Sequence, residues 1–66
     1  MKEYTIEVYK ENGVWCKQID VFDTYENAEK YANKNPLNKG LFYSIWCIEY
    51  DTNGEEINSY PVHQIY

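Results

Sequence analysis

Two stretches near the start of the chain alternate between apolar and polar residues, which predicts a β-hairpin. Residues 3–11 and residues 14–22 are rich in β-forming side chains and flank Asn12-Gly13, a strong short-range hairpin signal. A two-residue turn places Glu11 opposite Val14. In that register one face is apolar and comprises Tyr4, Ile6, Val8, Trp15, Ile19 and Val21. The other face is polar apart from two residues, and its members are Thr5, Glu7, Tyr9, Cys16, Gln18 and Asp20.

The spacing of small and aromatic residues predicts a helix over residues 24–34. Its side chains at i, i+3 and i+4 positions form an apolar stripe of Tyr25, Ala28, Tyr31 and Ala32. Asp23 is followed three residues later by Glu26, which resembles a capping box and makes Asp23 the expected N-cap. Pro36 ends the helix at or before Asn35, because the residue before a proline is disfavoured in the helical region.

Residues 41–50 form the most apolar stretch, and here apolar and polar residues do not alternate. Both faces of such a strand are apolar, which is typical of the middle of a covered sheet. Residues 55–60 predict a fourth strand, which either ends there or resumes over residues 62–66. The turn at Asn53-Gly54 is either a two-residue loop or a type I turn with Gly54 in a bulge.

These elements predict a single α+β domain over residues 1–66, with a ββαββ order, a four-stranded antiparallel sheet and one helix packed on one face. The strand order 2-1-3-4 is favoured because every neighbouring pair is then antiparallel. This order also leaves Pro61 on an edge, where its missing N–H costs no ladder hydrogen bond. One helix cannot cover both faces of the sheet, so the other face is open.

This open side is the predicted binding surface, because exposed aromatic patches usually mark interaction sites. The sequence leaves undecided which side of residues 41–50 faces the helix. If Phe42, Trp46 and Ile48 pack on the helix, the alternate set faces a partner. On that arrangement the predicted partner-binding residues are apolar at the centre and acidic at the rim: Tyr9, Tyr43, Ile45, Glu7 and Asp20. The alternative is that residues 62–66 fold over this surface.

Charge narrows the range of partners. Eleven acidic residues against six Lys and no Arg give a net charge of −5. Arg is the usual ligand of phosphates and guanine edges, so duplex DNA is disfavoured, and the acidic balance disfavours an anionic membrane. The acids are either a solubilising surface or a phosphate mimic that occupies a basic groove of another protein. Sheet aromatics can also stack single-stranded bases.

No pattern points to catalysis, a metal or another cofactor. His63 is the only His, and a pairing of Cys47 with His63 would need both side chains positioned in a cleft. Zinc needs three or four clustered ligands, which two distant Cys and one His do not supply. The two Cys and a first segment without an apolar run indicate a cytoplasmic protein with free thiols. A disulfide between Cys16 and Cys47 is the alternative.

A local pattern resembles a known family of DNA-binding domains. The pattern reads Gly13-Val14-Trp15, then Phe22, Thr24, Glu26 and Ala28, then Tyr31. Residues 13–32 are thereby similar to the arm-type domains of phage and mobile-element tyrosine integrases. The resemblance implies a ββα unit and a mobile-element origin. That family is basic and carries Arg on its sheet, whereas this chain is acidic and has none, so no functional residue is carried over.

The sequence thus predicts a small, acidic, non-enzymatic protein-binding module. The leading hypothesis is a phage or mobile-element inhibitor of a host nucleic-acid-binding protein, such as an anti-defence or anti-CRISPR-type protein, that occupies a basic surface. Two alternatives are a single-stranded nucleic-acid binder that uses the sheet aromatics and a homodimer formed through the open side of the sheet.

Overall fold

A four-stranded antiparallel sheet carries one helix on one face, in a computed structural model that describes residues 1–65. The elements in chain order are β1 (Lys2–Lys10), β2 (Trp15–Phe22), α1 (Tyr25–Lys34), β3 (Leu41–Tyr50) and β4 (Glu56–Ile65). The strand order is β2-β1-β3-β4, as predicted. Pro61 therefore lies on an edge strand, where it removes no hydrogen bond from the interior of the sheet.

The first hairpin is closed by a three-residue loop. The Gly13 N–H donates to the Lys10 carbonyl and the Lys10 N–H donates to the Val14 carbonyl, each at 2.8 Å. Gly13 has a φ of 88°, and no non-glycine residue within 1–65 has a positive φ. A type I′ turn needs positive φ at both central residues, so the predicted two-residue Asn12-Gly13 turn is wrong. A type I turn followed by a left-handed glycine closes the hairpin instead.

The second hairpin repeats this loop geometry. The Gly54 N–H donates to the Asp51 carbonyl at 3.1 Å, and the Asp51 N–H donates to the Glu55 carbonyl at 2.9 Å. The Asp51 carboxylate also accepts from the N–H groups of Asn53 and Glu55, both at 2.9 Å. Of the two alternatives for this turn, the type I turn with Gly54 in a bulge is the correct one.

Two irregularities in β2 shift its register against β1. Val8 pairs with Lys17 and Glu7 with Gln18, as the predicted register requires. Beyond these two pairs the register is displaced by one residue on each side, so that Ile6 pairs with Asp20. Each displacement leaves an extra residue in β2, which is the definition of a β-bulge. Trp15 consequently pairs with Tyr9 and lies on the side away from the helix. Val21 was predicted to face the helix and does not, since it pairs with Thr5 and is 43% exposed.

Helix α1 begins one residue later than predicted. The side chain of Thr24 accepts a hydrogen bond from the Asn27 N–H at 3.2 Å, so Thr24 is the N-cap and Asp23 is not. The helix ends at Lys34 with Asn35 as its C-cap, before Pro36, as predicted. Its apolar stripe also lies as predicted, with Ala28 and Ala32 fully buried against the sheet. Small side chains at these two positions let the helix approach the strands closely.

The side of β3 that faces the helix carries Tyr43, Ile45 and Cys47, which are 4%, 0% and 1% exposed. Tyr43 pairs with Val8 and Ile45 with Ile6. Paired residues share a face of the sheet, so the helix-facing side of β1 fixes the side of β3. The predicted placement of Tyr43 and Ile45 on the uncovered side of the sheet is therefore wrong, because both belong to the core under α1.

Strand β4 continues to Ile65 in the plane of the sheet. Residues 62–65 therefore do not fold over the side of the sheet away from the helix, which was the alternative for this segment. Tyr66, the remaining residue of that prediction, lies outside the described residues. The sheet consequently keeps one side that α1 does not cover.

Candidate functional site

The side of the sheet away from α1, here called the open face, is defined by Thr5, Tyr9, Trp15, Phe42, Trp46 and Ile48. Tyr9 and Phe42 stack with ring centroids 5.7 Å apart and planes 18° from parallel. Trp15 remains 55% exposed. Thr5 and Ser44, in contrast, are only 3% and 2% exposed although no helix lies above them. The larger side chains around them therefore form the surface layer that a partner would meet.

All the charged side chains at open-face positions are acidic. Glu3, Glu7 and Glu56 alternate into this face, opposite Ile48, Ser44 and Tyr50 respectively. The Lys residues lie elsewhere. Helix-side positions of the strands hold Lys2, Lys10 and Lys17. Helix α1 carries Lys30 and Lys34, and the loop before β3 carries Lys39. Within residues 1–65 the open face thus combines aromatic rings with carboxylates and carries no Lys side chain.

Aromatic donors hold two of these carboxylates in place. The Trp15 Nε1–H donates to Glu7 Oε1 at 2.9 Å, and the Tyr50 hydroxyl donates to Glu3 Oε2 at 3.2 Å. Burial, followed by the Glu3 carboxylate, raises the pKa of Tyr50 above its ordinary value. Tyr50 therefore stays a neutral donor at physiological pH. Each carboxylate is thus held at the edge of an aromatic ring. Carboxylates and aromatic ring faces both attract cationic groups, the first by charge and the second by π-electrons.

Two shallow depressions on the open face share Tyr9 and Trp46 as walls. The larger, of about 250 Å³, is also lined by Glu7, Trp15, Ile48 and Glu56. The smaller, of about 210 Å³, is also lined by Phe42, Ser44, Pro61 and Gln64. Trp46 Nε1 is buried, and it has no hydrogen-bond partner within residues 1–65. The two depressions adjoin at these shared walls and are together called the trough, whose lining includes residues of all four strands.

The structure brings only part of the predicted binding set together. Glu7 and Tyr9 line the trough. Asp20 is exposed but pairs with Ile6 at a bulge and does not line either depression. The predicted register had placed Asp20 with Glu7, and the bulge in β2 removes it from that row. Tyr43 and Ile45 are in the core.

Trp15, Trp46 and Glu56 are open-face residues that were not among the predicted binding residues. One signal could have identified Trp46. Ser44 is the only small polar residue between Leu41 and Ile48. It precedes Trp46 by two residues, so both side chains lie on the same face of the strand. Burying a polar side chain against the helix costs more free energy than placing it on the uncovered side of the sheet. Ser44 therefore indicates which side chains of β3 lie on the open face.

The groups considered for chemistry lie on the helix side. Cys47 pairs with Tyr60, whereas His63 pairs with Ile45 and packs edge-on against Tyr25 at 6.3 Å. A hydrogen bond with the Cys47 thiol, followed by burial, raises the pKa of Tyr60 to about 12. The two cysteines are free. Cys47 is thus engaged with a phenol and not with the imidazole.

Neither a metal-binding cluster nor a membrane-spanning helix is found among the described residues. Residues 1–65 contain no group of three or more His, Cys, Asp or Glu side chains that could hold a metal ion. Helix α1 is too short and too polar to cross a bilayer, and no other helix of the described chain is long and apolar enough either.

Comparison with known proteins found no matching protein family, curated protein or solved structure. A function for this chain is therefore inferred from the open face itself, from the residues it exposes and the charge it carries.

Proposed function

We propose that this protein is a non-catalytic binding module whose open face docks a basic surface of another protein. The observation that carries the proposal is the separation of charge: three Glu lie among the aromatic side chains of the open face, and every Lys lies elsewhere. Complementary potentials steer association and exclude wrong partners, while aromatic side chains supply contact area at low entropic cost.

The partner class that fits best is a protein whose basic surface binds nucleic acid. Carboxylates held on a rigid sheet can take the places of phosphates, and the lack of Arg leaves the negative field of the chain unopposed by guanidinium groups. In this hypothesis the chain is an inhibitor of phage or mobile-element origin that acts in the cytoplasm. The resemblance of residues 13–32 to integrase arm domains agrees with such an origin and remains a prediction.

A matched pair of charge reversals tests the docking surface. The double variant Glu7→Lys/Glu56→Lys changes the open face, whereas Glu11→Lys/Glu55→Lys makes the same change in net charge at the two hairpin loops. Each protein is titrated with protamine, a basic nucleic-acid-binding protein, at increasing salt. We expect the open-face variant to bind much more weakly than the loop variant, and we expect wild-type binding to weaken as salt rises.

Equal weakening by the two double variants would mean that protamine responds to net charge and not to the open face, and the proposal would then be wrong. The same titration with DNA added as a competitor examines the mimicry. A phosphate mimic and DNA compete for one basic surface, so DNA should displace the chain from protamine. Formation of a ternary complex would contradict competition for a shared site.

Single-stranded nucleic acid is the second candidate, and the exposure of Trp15 favours it. An indole that is 55% exposed on a sheet is suited to stacking on a base. The three carboxylates oppose it, because single-strand binders combine such rings with positive grooves. Titration with oligothymidylate at low salt distinguishes the two functions. Quenching of tryptophan fluorescence would support stacking, and an unchanged signal would eliminate it.

A further inference from the structure

We infer that the larger depression of the open face is a site for one arginine side chain of the docked partner. The inference rests on the proposed function and specifies where that partner is anchored. The depression has a volume of about 250 Å³. Pockets for small molecules usually enclose about 300 to 1,000 Å³, so this one is better matched to a single side chain.

The walls of the depression suit a flat cation. Trp15 and Trp46 contribute indole rings, and Ile48 contributes an aliphatic surface. The Trp15 ring is more than half exposed, so it is accessible without rearrangement of the sheet. A guanidinium group is planar and more weakly hydrated than an ammonium group, and it stacks on aromatic faces. These properties favour arginine over lysine.

Two carboxylates supply the matching charge. Glu7 and Glu56 line the same depression, from β1 and β4 respectively. The Trp15 Nε1–H engages Glu7 Oε1, which fixes the carboxylate and leaves its second oxygen to accept from a guanidinium N–H. No lysine lies at an open-face position to neutralise the pair. An arginine side chain would thus meet an oriented acceptor on one side and a second negative charge on the other.

The unpaired donor of Trp46 is an independent indication of a ligand. Its Nε1–H is buried and has no acceptor within residues 1–65. Buried N–H groups without a partner are rare in folded proteins and call for an explanation. Trp46 forms a wall of both depressions, so a peptide segment that follows the trough crosses this ring. A small rotation of the indole would then let a main-chain carbonyl of that segment accept from the Nε1–H.

The two indole N–H groups provide a direct readout. The chain has two Trp, so a ¹⁵N-correlated NMR spectrum contains two indole signals, which the variant Trp15→Phe assigns. The probes are acetyl-arginine-amide, its neutral isostere acetyl-citrulline-amide, and acetyl-lysine-amide. We expect the arginine probe to shift both signals in a saturable manner. The citrulline probe should leave them unchanged, and the lysine probe should bind more weakly than arginine.

Neighbouring glutamates give a matched control for the charge. Glu56 lines the depression, whereas Glu55 lies in the hairpin loop, where its N–H donates to Asp51. Glu56→Gln should weaken the arginine probe about two- to fivefold, the range for one exposed ion pair. Glu55→Gln should leave the affinity unchanged. Both side chains are exposed, so neither variant is expected to disturb folding.

Each remaining outcome counts against a stated part of the inference. Equal shifts with arginine and citrulline would show that charge is irrelevant and would overturn the site. Equal affinity for lysine and arginine would overturn the preference for a guanidinium group. If protamine binds the open face while no small probe moves either indole signal, the arginine site is wrong and the docking function stands. If protamine does not bind either, the proposed function fails as well.

Discussion

Tyr60 illustrates how a single neighbour sets the behaviour of a side chain. Its hydroxyl forms a hydrogen bond with the Cys47 thiol across the β3–β4 ladder, and this contact contributes most to its raised pKa. The pair lies on the helix side of the sheet, away from the open face. A change at Tyr60 therefore reports on the fold of β4 without altering the surface proposed to bind a partner.

The pKa of Tyr60 predicts a loss of stability at high pH. The value rises from 10.0 in a model peptide to about 12 in the folded chain. Between these two pH values the folded state keeps a proton that the unfolded state has released, so the free energy of unfolding falls as pH rises. Below the lower value this contribution is fully present. Tyr25, Tyr43 and Tyr50 have raised pKa values too and act in the same direction.

Urea denaturation at a series of pH values measures this loss. In wild type the free energy of unfolding should decrease as the pH rises from 10.0 to about 12, the two pKa values of Tyr60 in the unfolded and folded chain. Tyr60→Phe has no proton to lose, so its stability should fall less steeply over the same range. Comparing each protein with its own stability at neutral pH removes the cost of the missing hydrogen bond. Parallel curves for the two proteins would show that Tyr60 does not titrate as proposed.

Among the secondary-structure elements, the helix offers a choice between two adjacent capping residues. Asp23 and Thr24 both have side chains suited to an N-cap, but only Thr24 accepts from a helical N–H. We expect Thr24→Ala to lower the free energy of unfolding by about 0.5 to 2 kcal/mol, the usual cost of losing a cap. Asp23→Ala should cost less, since it removes only an interaction with the helix dipole. Urea denaturation compares the two, and a greater loss for Asp23→Ala would contradict the assignment.

The sequence predicts these elements well because local patterns determine them. The apolar stripe of α1, the positions of the two Asn-Gly hairpins and the uninterrupted β3 each follow from residues close together in the chain. Registers are less predictable, since a bulge depends on how both strands pack. The two bulges in β2 displace Trp15 and Val21 to the open face. The regular register predicted from the sequence separated apolar from polar side chains just as well, so the pattern alone did not reveal the bulges.

The same limit applies to the candidate site. Glu7 and Tyr9 were placed correctly because β1 alternates clearly between its two faces. The choice of Tyr43 and Ile45 was wrong because β3 is apolar on both sides, so its own pattern does not reveal its orientation. Pairing with β1 determines that orientation, and Ser44 is the only local indication of it.

For the whole molecule, the distribution of charge carries more information than its sum. A net charge of −5 is visible in the composition, but the confinement of Lys to positions off the open face follows only from the strand registers. The helix side is mixed in sign and includes the contact between Lys2 and Glu49 at 3.5 Å. The open face is uniformly negative. This asymmetry bears on the hypothesis that the chain forms a homodimer through that face.

Self-association through the open face would bring two sets of Glu3, Glu7 and Glu56 together without a Lys side chain between them. Like charges placed opposite each other across an interface are strongly unfavourable, and the repulsion is felt over about 10 Å at 0.1 M salt. We therefore expect sedimentation equilibrium at neutral pH and low salt to give the mass of one chain, 8.0 kDa.

Replacing the three open-face Glu residues with Gln should promote association of the aromatic surface. Replacing Glu11, Glu26 and Glu55 should not, because they lie in the hairpin loops and on α1. A wild-type dimer at low salt that the open-face replacement leaves unchanged would mean that the copies meet elsewhere, for instance along the edge of β4, and that the negative field does not control assembly.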